Sequence, residues 1–286
     1  MTVLPTGPFP DRLEALLKDM GPVVVALSGG VDSSVVAAAA QRAAPGRSLA
    51  VTLHGPAVAK EELDRAVEVA RSVGIRHRLV RIDPTQDPRY AANPLDRCYF
   101  CRSQEGDLLL AVAQEERFAV IVDGLHADDP ADDRPGMRAM DERKVRHPLR
   151  EAGLGKREVR ELAAAWGLPN HDAPSNSCLA SRVAHGEPIS TPLLSRVEAG
   201  ERALHELGFR QVRVRTSQGA ARIEVGSEEV GRFQDPALRF QVSFELTALG
   251  FTSVTIDPEG YRPAGGRSWT APSASGSEQP SEGGAS

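Results

Sequence analysis

An α/β fold, a doubly wound parallel sheet followed by a smaller C-terminal α+β domain, is what this 286-residue sequence predicts. Three observations carry the expectation. Residues 23–34 read as a buried strand, a glycine turn and the start of a helix. Strand-like and helix-like segments then alternate as far as Trp166, and from Ser190 the pattern changes to alternating strands among helices. Alternation of strand and helix implies parallel strands with right-handed crossovers.

The elements follow in order. Leu13, Leu16 and Leu17 share one face of a short helix ending near Gly21. Val23 to Leu27 are apolar and mostly β-branched, which suits a strand covered on both faces. Gly29 and Gly30 permit a tight turn and close backbone approach to a ligand, and a helix from Asp32 or Ser33 runs through Ala40. Strands are expected at 48–54 and 79–82, with a helix from Lys60 to Val73 between them that Gly74 stops. Residues 83–97 hold three prolines without periodicity and read as a loop. After Cys98-Tyr99-Phe100-Cys101 comes a helix to Glu116, then a strand at 119–122 ending in Asp123-Gly124. Residues 125–143 are polar and Asp-rich, and a helix from Lys156 to Trp166 closes this part. Residues 169–186 are irregular and rich in small polar side chains, as functional loops are. A helix from Ser190 to Gly208 takes Ser190 or Thr191 as its cap and Pro192 in its first turn. Strands at 211–215 and 221–225, one or two helices over 227–249 and a strand at 253–256 complete the pattern. The expected domains are 1–183 and 184–263. Residues 264–286, of Gly, Ser, Pro and Glu, read as a disordered tail.

A net charge of −5 argues against broad binding to nucleic acid. No apolar run reaches the length of a membrane span, and residues 1–10 carry no signal-peptide pattern, so a cytoplasmic protein is expected. Three cysteines cannot all pair, and a reducing compartment leaves them as thiols or metal ligands.

The chemistry concentrates at a few places. A glycine turn opening a helix binds phosphate through free N–H groups and the helix dipole, which marks Ser28, Gly29, Gly30, Asp32, Ser33 and Ser34. Gly153-Leu154-Gly155-Lys156 does not supply the usual P-loop. Asp123 and Gly124 follow a strand, where open α/β sheets bind ligands. Cys98 and Cys101 stand at metal-ligand spacing with Cys178 as the third thiol. This set reads as three ligands of a [4Fe-4S] cluster, a Cys3His zinc site, or unligated thiols including a redox pair, the first favoured. Arg182, Arg213 and Arg215 suit phosphate, although alternating arginines also make a solvated strand face. Glu198, Glu201 and Glu224 read as surface charge before metal ligands. Among Asp128, Asp129, Asp132 and Asp133, one could serve Mg²⁺, while acidic runs are usually solvated loop. His126, His147 and His171 lack metal-ligand spacing and are assigned no chemistry.

Ser28-Gly29-Gly30-Val31-Asp32-Ser33 resembles the pyrophosphate loop of the N-type ATP pyrophosphatases, the PP-loop superfamily. That loop holds the β and γ phosphates of ATP while a nucleophile attacks the α phosphate. Asp123-Gly124, Arg134-Pro135-Gly136, Pro174-Ser175, Cys178-Leu179-Ala180-Ser181-Arg182, Arg213-Val214-Arg215 and Ala221-Arg222-Ile223-Glu224 extend the likeness over nearly the whole chain. Together they resemble the LarE family of ATP-dependent sulfur transferases, which act in nickel-pincer nucleotide synthesis. The resemblance implies ATP with Mg²⁺, and adenylation of the carboxylates of pyridinium-3,5-biscarboxylic acid mononucleotide. Sulfur then displaces AMP to give thiocarboxylates. It implies Asp32 and Cys178 as catalytic residues and Arg182, Arg213 and Arg215 as ligands of the substrate phosphate. Glu201 and Glu224 match metal-linked positions, in a small domain through which the family forms homo-hexamers. Some members consume the cysteine matching Cys178, leaving dehydroalanine. Members with all three cysteines are associated with a [4Fe-4S] cluster, the form favoured here. A tRNA thiolase, an ammonia-using amide ligase and a non-catalytic nucleotide sensor are the readings from other classes.

Overall fold

The computed structural model describes residues 9–129, 134–174 and 176–262, so the expected tail, Asp132, Asp133 and Ser175 lie outside it. The first sheet has four parallel strands: β1 (Val23–Ala26), β2 (Leu49–His54), β3 (Arg76–Arg81) and β4 (Val120–Val122), in the order β3-β2-β1-β4. Among the described residues eight helices accompany it: α1 (Phe9–Met20), α2 (Val31–Ala43), α3 (Lys60–Val73), α4 (Pro88–Ala91), α5 (Arg97–Glu115), α6 (Pro135–Asp141), α7 (Pro148–Glu151) and α8 (Lys156–Ala165).

The period-two rule for strands divides the core. Val23 and Val25 face one layer, with Leu17 of α1, Val35 of α2, Ala66 of α3 and Val159 of α8. Val24 faces the other, with Leu49, Val51, Leu109 and Val112 of α5 and Met140 of α6. All three valines are fully buried, and each such side chain contributes roughly 1.5–3 kcal/mol. The doubly wound architecture is therefore the one the sequence predicts.

The differences have physical causes. β3 starts at Arg76 rather than 79 because it is an edge strand, where polar residues are tolerated. Arg76 and Arg78 there pair with Glu116 and Glu115 at 2.8 Å each. The proline-rich stretch holds a 3₁₀ turn at Pro84–Gln86 and α4, capped by Asp83 and Asp87 through bonds from Thr85 N and Arg89 N. α5 begins at Arg97, so Cys98 and Cys101 lie in its first turns rather than before a helix. The polar stretch after Gly124 contains α6 and leads to α7, each started by a proline.

The second sheet joins β5 (Val212–Ser217) antiparallel to β6 (Ala220–Val225), with β7 (Val254–Ile256) parallel to β6. Gln218 and Gly219, at φ 50° and 82°, make the tight hairpin. α9 (Thr191–Glu206), capped by Ser190, and α10 (Pro236–Ala248) cover it. Its core of Val197, Leu204, Val214, Ile223 and Leu246 also takes in Ala57 and Tyr90. Segments that follow β2 and β3 thus pack into the core of the second sheet. No helix among the described residues is long and apolar enough to cross a membrane.

Candidate active site

Crossovers leave β1 toward β2 on one side, while β4 lies on the other, so the crevice falls between the carboxyl ends of β1 and β4. The turn after β1 and Asp123-Gly124 after β4 meet there. A Cβ on Gly124 would stand 2.6 Å from Ser33 N. Gly29 has φ +84°, and a Cβ on it would stand 2.3 Å from the Glu62 carbonyl, so glycine is required. Gly30, at φ −75°, has room for a Cβ, so the two glycines that look alike in sequence differ in need. Ser33 Oγ accepts from Ser28 N at 3.2 Å and donates to Gly30 O at 3.1 Å; Ser34 Oγ donates to Gly30 O at 2.8 Å. Buried Asn170, which the sequence does not single out, donates to Gly29 O at 2.8 Å and Ser34 Oγ at 2.9 Å.

Asp32 accepts from Lys156 Nζ at 2.7 and 2.6 Å through its two oxygens. Lys156 opens α8, where its N–H donates to Asp128 at 2.6 Å. The glycine-lysine stretch that is no P-loop still delivers a cation to the phosphate end. Both partners are partly exposed, so the pair positions more than it stabilises. Asp128 is thereby a helix cap, and Asp129 accepts from His126 N at 3.0 Å.

Asp123 is buried and bonded to His147 Nδ1 at 2.7 Å, Arg102 Nη2 at 3.3 Å and Leu125 N at 3.1 Å. His147 Nε2 reaches Asp141 at 3.0 Å. Burial opposes both charges, yet the mutual bond and the neighbours prevail, holding the Asp123 carboxyl below and the His147 imidazole above their ordinary ranges. His147, assigned no chemistry from sequence, therefore braces the site. Its folded pKa lies above 6.5, so its stabilisation is full below that value and is lost as pH rises through the raised one. Asp123 behaves oppositely, losing its contribution as pH falls through its depressed folded value. His147→Gln is expected to flatten the fall in urea midpoint as the pH rises above 6.5. An unchanged slope would show that His147 is not the titrating brace.

One cleft of about 480 Å³ runs from Ser28–Ser33, Asp123 and Gly124 to Cys98, Cys101 and Cys178. Its cationic lining is Arg65, Arg97, Arg102, Lys156 and Arg160. Glu62 also lines it, its carboxyl pushed up by burial against the pull of Arg65, Arg182 and Arg213. All three thiols are free. Cys101 Sγ donates to Glu105 at 3.4 Å, and burial and that carboxylate push its pKa up. Burial also raises Cys178, opposed by the charges of Arg97 and Arg182.

The residues do not assemble the expected metal sites. Among the described residues, no three His, Cys, Asp or Glu side chains form a group that could hold a metal ion. Cys98, Cys101 and Cys178 share the cleft without making a three-thiolate site. Glu201 and Glu224 are buried rather than on the surface, because each faces an arginine. Glu201 accepts from Arg182 Nε at 2.8 Å, Arg182 Nη2 at 3.0 Å and Val214 N at 2.9 Å. Glu224 lies between Arg215, at 3.0 Å, and Arg222, at 2.8 Å. Glu198, by contrast, accepts from Lys60 N at 2.6 Å on the surface.

The three expected phosphate arginines are not among the residues lining the cleft. Arg182 is 1% exposed and also donates to Ser177 O, to Cys178 O at 3.0 Å and to Asn176 Oδ1 at 3.0 Å. It shapes the backbone that carries Cys178. Arg213 is buried over the Tyr261 ring at 5.0 Å, and Arg215 also donates to Ser181 O at 2.9 Å.

The asparagine synthase family matches residues 11–105, the stretch holding the turn, the first three strands and Cys98 and Cys101. An uncharacterised protein of Synechocystis is 38% identical over 252 residues, covering 88% of this chain and 94% of its own. The pyridinium-3,5-bisthiocarboxylic acid mononucleotide synthase of Lactiplantibacillus plantarum is 33% identical over 252 residues, 87% of this chain and 90% of its own. A tRNA-specific 2-thiouridylase of Xanthobacter autotrophicus is 34% identical over 194 residues, about half of each chain (54% and 49%). A PP-loop at the switch point of a parallel sheet, with likeness over nearly the full length of both chains, makes this protein a member of the pyridinium-3,5-bisthiocarboxylic acid mononucleotide synthase family within the PP-loop superfamily of ATP pyrophosphatases.

Proposed function

We propose that the protein is an ATP-dependent sulfur transferase that adenylates the carboxylates of pyridinium-3,5-biscarboxylic acid mononucleotide and converts them to thiocarboxylates. One observation carries the reading: a single cleft has the phosphate-binding turn at one end and three free thiols at the other. The Lactiplantibacillus plantarum relative is a synthase of the bisthiocarboxylic acid mononucleotide, and the same nucleotide with carboxylates in place of its thiocarboxylates is the substrate such a product requires.

The chemistry explains why both ends are needed. A carboxylate resists nucleophiles, and adenylation turns one of its oxygens into a phosphate leaving group. The N-terminus of α2 holds the departing pyrophosphate. Asp32 and Asp123, which line the cleft beside the turn, would hold the Mg²⁺ that accompanies ATP, and the ion would offset the charge of the phosphates. Cys178 is the sulfur that the geometry supports, half-buried in the cleft with its carbonyl fixed by Arg182. Its thiolate attacks the acyl carbon and expels AMP, giving a thioester. Loss of the Cys178 Cα proton to a base, with cleavage of Cβ–Sγ, leaves dehydroalanine and releases the thiocarboxylate, so each chain converts one carboxylate and a second chain supplies the sulfur for the other. The substrate is a small nucleotide, and the assembly proposed with it is a homo-oligomer.

Incubation with ATP and the mononucleotide is expected to release pyrophosphate and AMP only when both are present. Formation of ADP and phosphate instead would overturn the adenylating mechanism.

A further inference from the structure

Two buried donors at the thiol end of the cleft have no partner. Tyr90 is 1% exposed, and its hydroxyl makes no hydrogen bond among the described residues. Arg97 is 6% exposed, and its Nε is likewise unpartnered. Both line the cleft together with Cys98, Cys101 and Cys178. Buried polar groups are nearly always satisfied, and an orphan in a cleft wall marks a place for a ligand atom. We propose that Tyr90 and Arg97 form a carboxylate subsite that turns a substrate carboxylate toward Cys178.

The pair is held for the purpose. Asn93 is fully buried at φ +54°, a left-handed conformation uncommon for a residue other than glycine. Its Oδ1 accepts from Arg97 Nη1 at 2.5 Å, and its Nδ2 donates to Ala184 O at 2.7 Å. Asn93 O accepts from Gly186 N at 2.9 Å, and Leu179 N donates to Ala57 O at 2.9 Å. The loop that aims Arg97 is therefore clamped to the segment that carries Cys178.

The chemistry selects a monoanion. One guanidinium and one phenol offer two donors to the two oxygens of a carboxylate. Tyr90 belongs to an apolar cluster with Leu179, Ala57 and Phe100, a setting that strengthens a charge-assisted bond. Glu105, the nearby acid, is taken by Arg102 at 2.8 Å. Burial, with the neighbouring thiols adding to it, raises Tyr90 above its ordinary range, so the phenol remains a donor. This inference rests on the proposed function in taking the bound group to be a substrate carboxylate.

The test needs neither ATP nor nucleotide. Iodoacetate carries a carboxylate and alkylates thiols; iodoacetamide is its neutral counterpart. In each case the Cys178 Sγ–CH₂ bond forms, the C–I bond breaks to release iodide, and the thiol proton passes to solvent. Rates at Cys178 are read on the full-length protein by peptide mass mapping and divided by the rates for N-acetylcysteine. The iodoacetate-to-iodoacetamide ratio is expected to be about tenfold higher at Cys178 than for the free thiol, the factor that ~1.4 kcal/mol of preference gives. Arg97→Gln and Tyr90→Phe should each lower the ratio, and Arg97→Lys should retain most of it. Acetate should protect Cys178 from iodoacetate in the wild-type chain, a comparison that needs no variant to fold. A wild-type ratio equal to that of the free thiol, or one that survives both substitutions, would overturn the subsite. Failure of the adenylating mechanism would leave this ratio untouched, so the two outcomes are separable.

Discussion

Replacing Glu201 with alanine is expected to cost roughly 3–5 kcal/mol of stability, because it strands a buried guanidinium. Arg182 has no side-chain exposure and gives two hydrogen bonds to Glu201. The same carboxylate accepts from Val214 N in β5, so its loss also leaves a buried backbone donor unpaired. Arg182 in turn holds the carbonyls of Ser177 and Cys178. The urea midpoint should fall, and the Cys178 thiol should react faster with a neutral alkylating agent as its loop loosens. The paired change Arg182→Met with Glu201→Leu should cost less than Glu201→Ala alone, since it removes both charges and keeps volume. A loss under about 1 kcal/mol for Glu201→Ala, typical of a surface pair, would show that the bridge is not buried in solution.

Cys178→Ala has the largest expected effect on the reaction, the complete loss of thiocarboxylate. The side chain is half-buried and makes no metal group in the described residues, so the fold should change little. The phosphate end lies on other elements, in the turn after β1 and at Asp123, Gly124 and Lys156. Pyrophosphate and AMP should therefore still form when the mononucleotide is added, with the acyl-adenylate hydrolysing in place of sulfur transfer. Loss of pyrophosphate release together with thiocarboxylate would place Cys178 in the first half of the reaction.

The parts of the fold written locally are the ones a sequence reveals. The apolar run ending in Leu27, the glycine turn and the helix through Ala40 are contiguous, and their buried placement follows from composition alone. β3 is half hidden because an edge strand carries arginines toward solvent, and α6 and α7 are short helices that periodicity cannot detect. The site is less legible because its bonds are long-range. Lys156 reaches Asp32 across 124 positions, and Asn170 reaches the turn across 141. Glu201 and Glu224 look like surface acids since a local pattern cannot show that a buried arginine faces each one. Tyr90 and Arg97 carried one usable signal, their place beside the cysteine pair in a proline-rich stretch, but only the fold shows that their donors are orphaned.

The central claim is that the two ends of the cleft serve one reaction, with ATP activating a carboxylate and Cys178 giving it sulfur. The most direct measurement follows AMP, thiocarboxylate and the intact mass of the protein in one reaction with ATP and the mononucleotide. The account predicts that AMP and thiocarboxylate rise together while Cys178 loses the elements of H₂S in step with product. Thiocarboxylate formed with Cys178 chemically intact, or AMP formed without any thiocarboxylate, would contradict it.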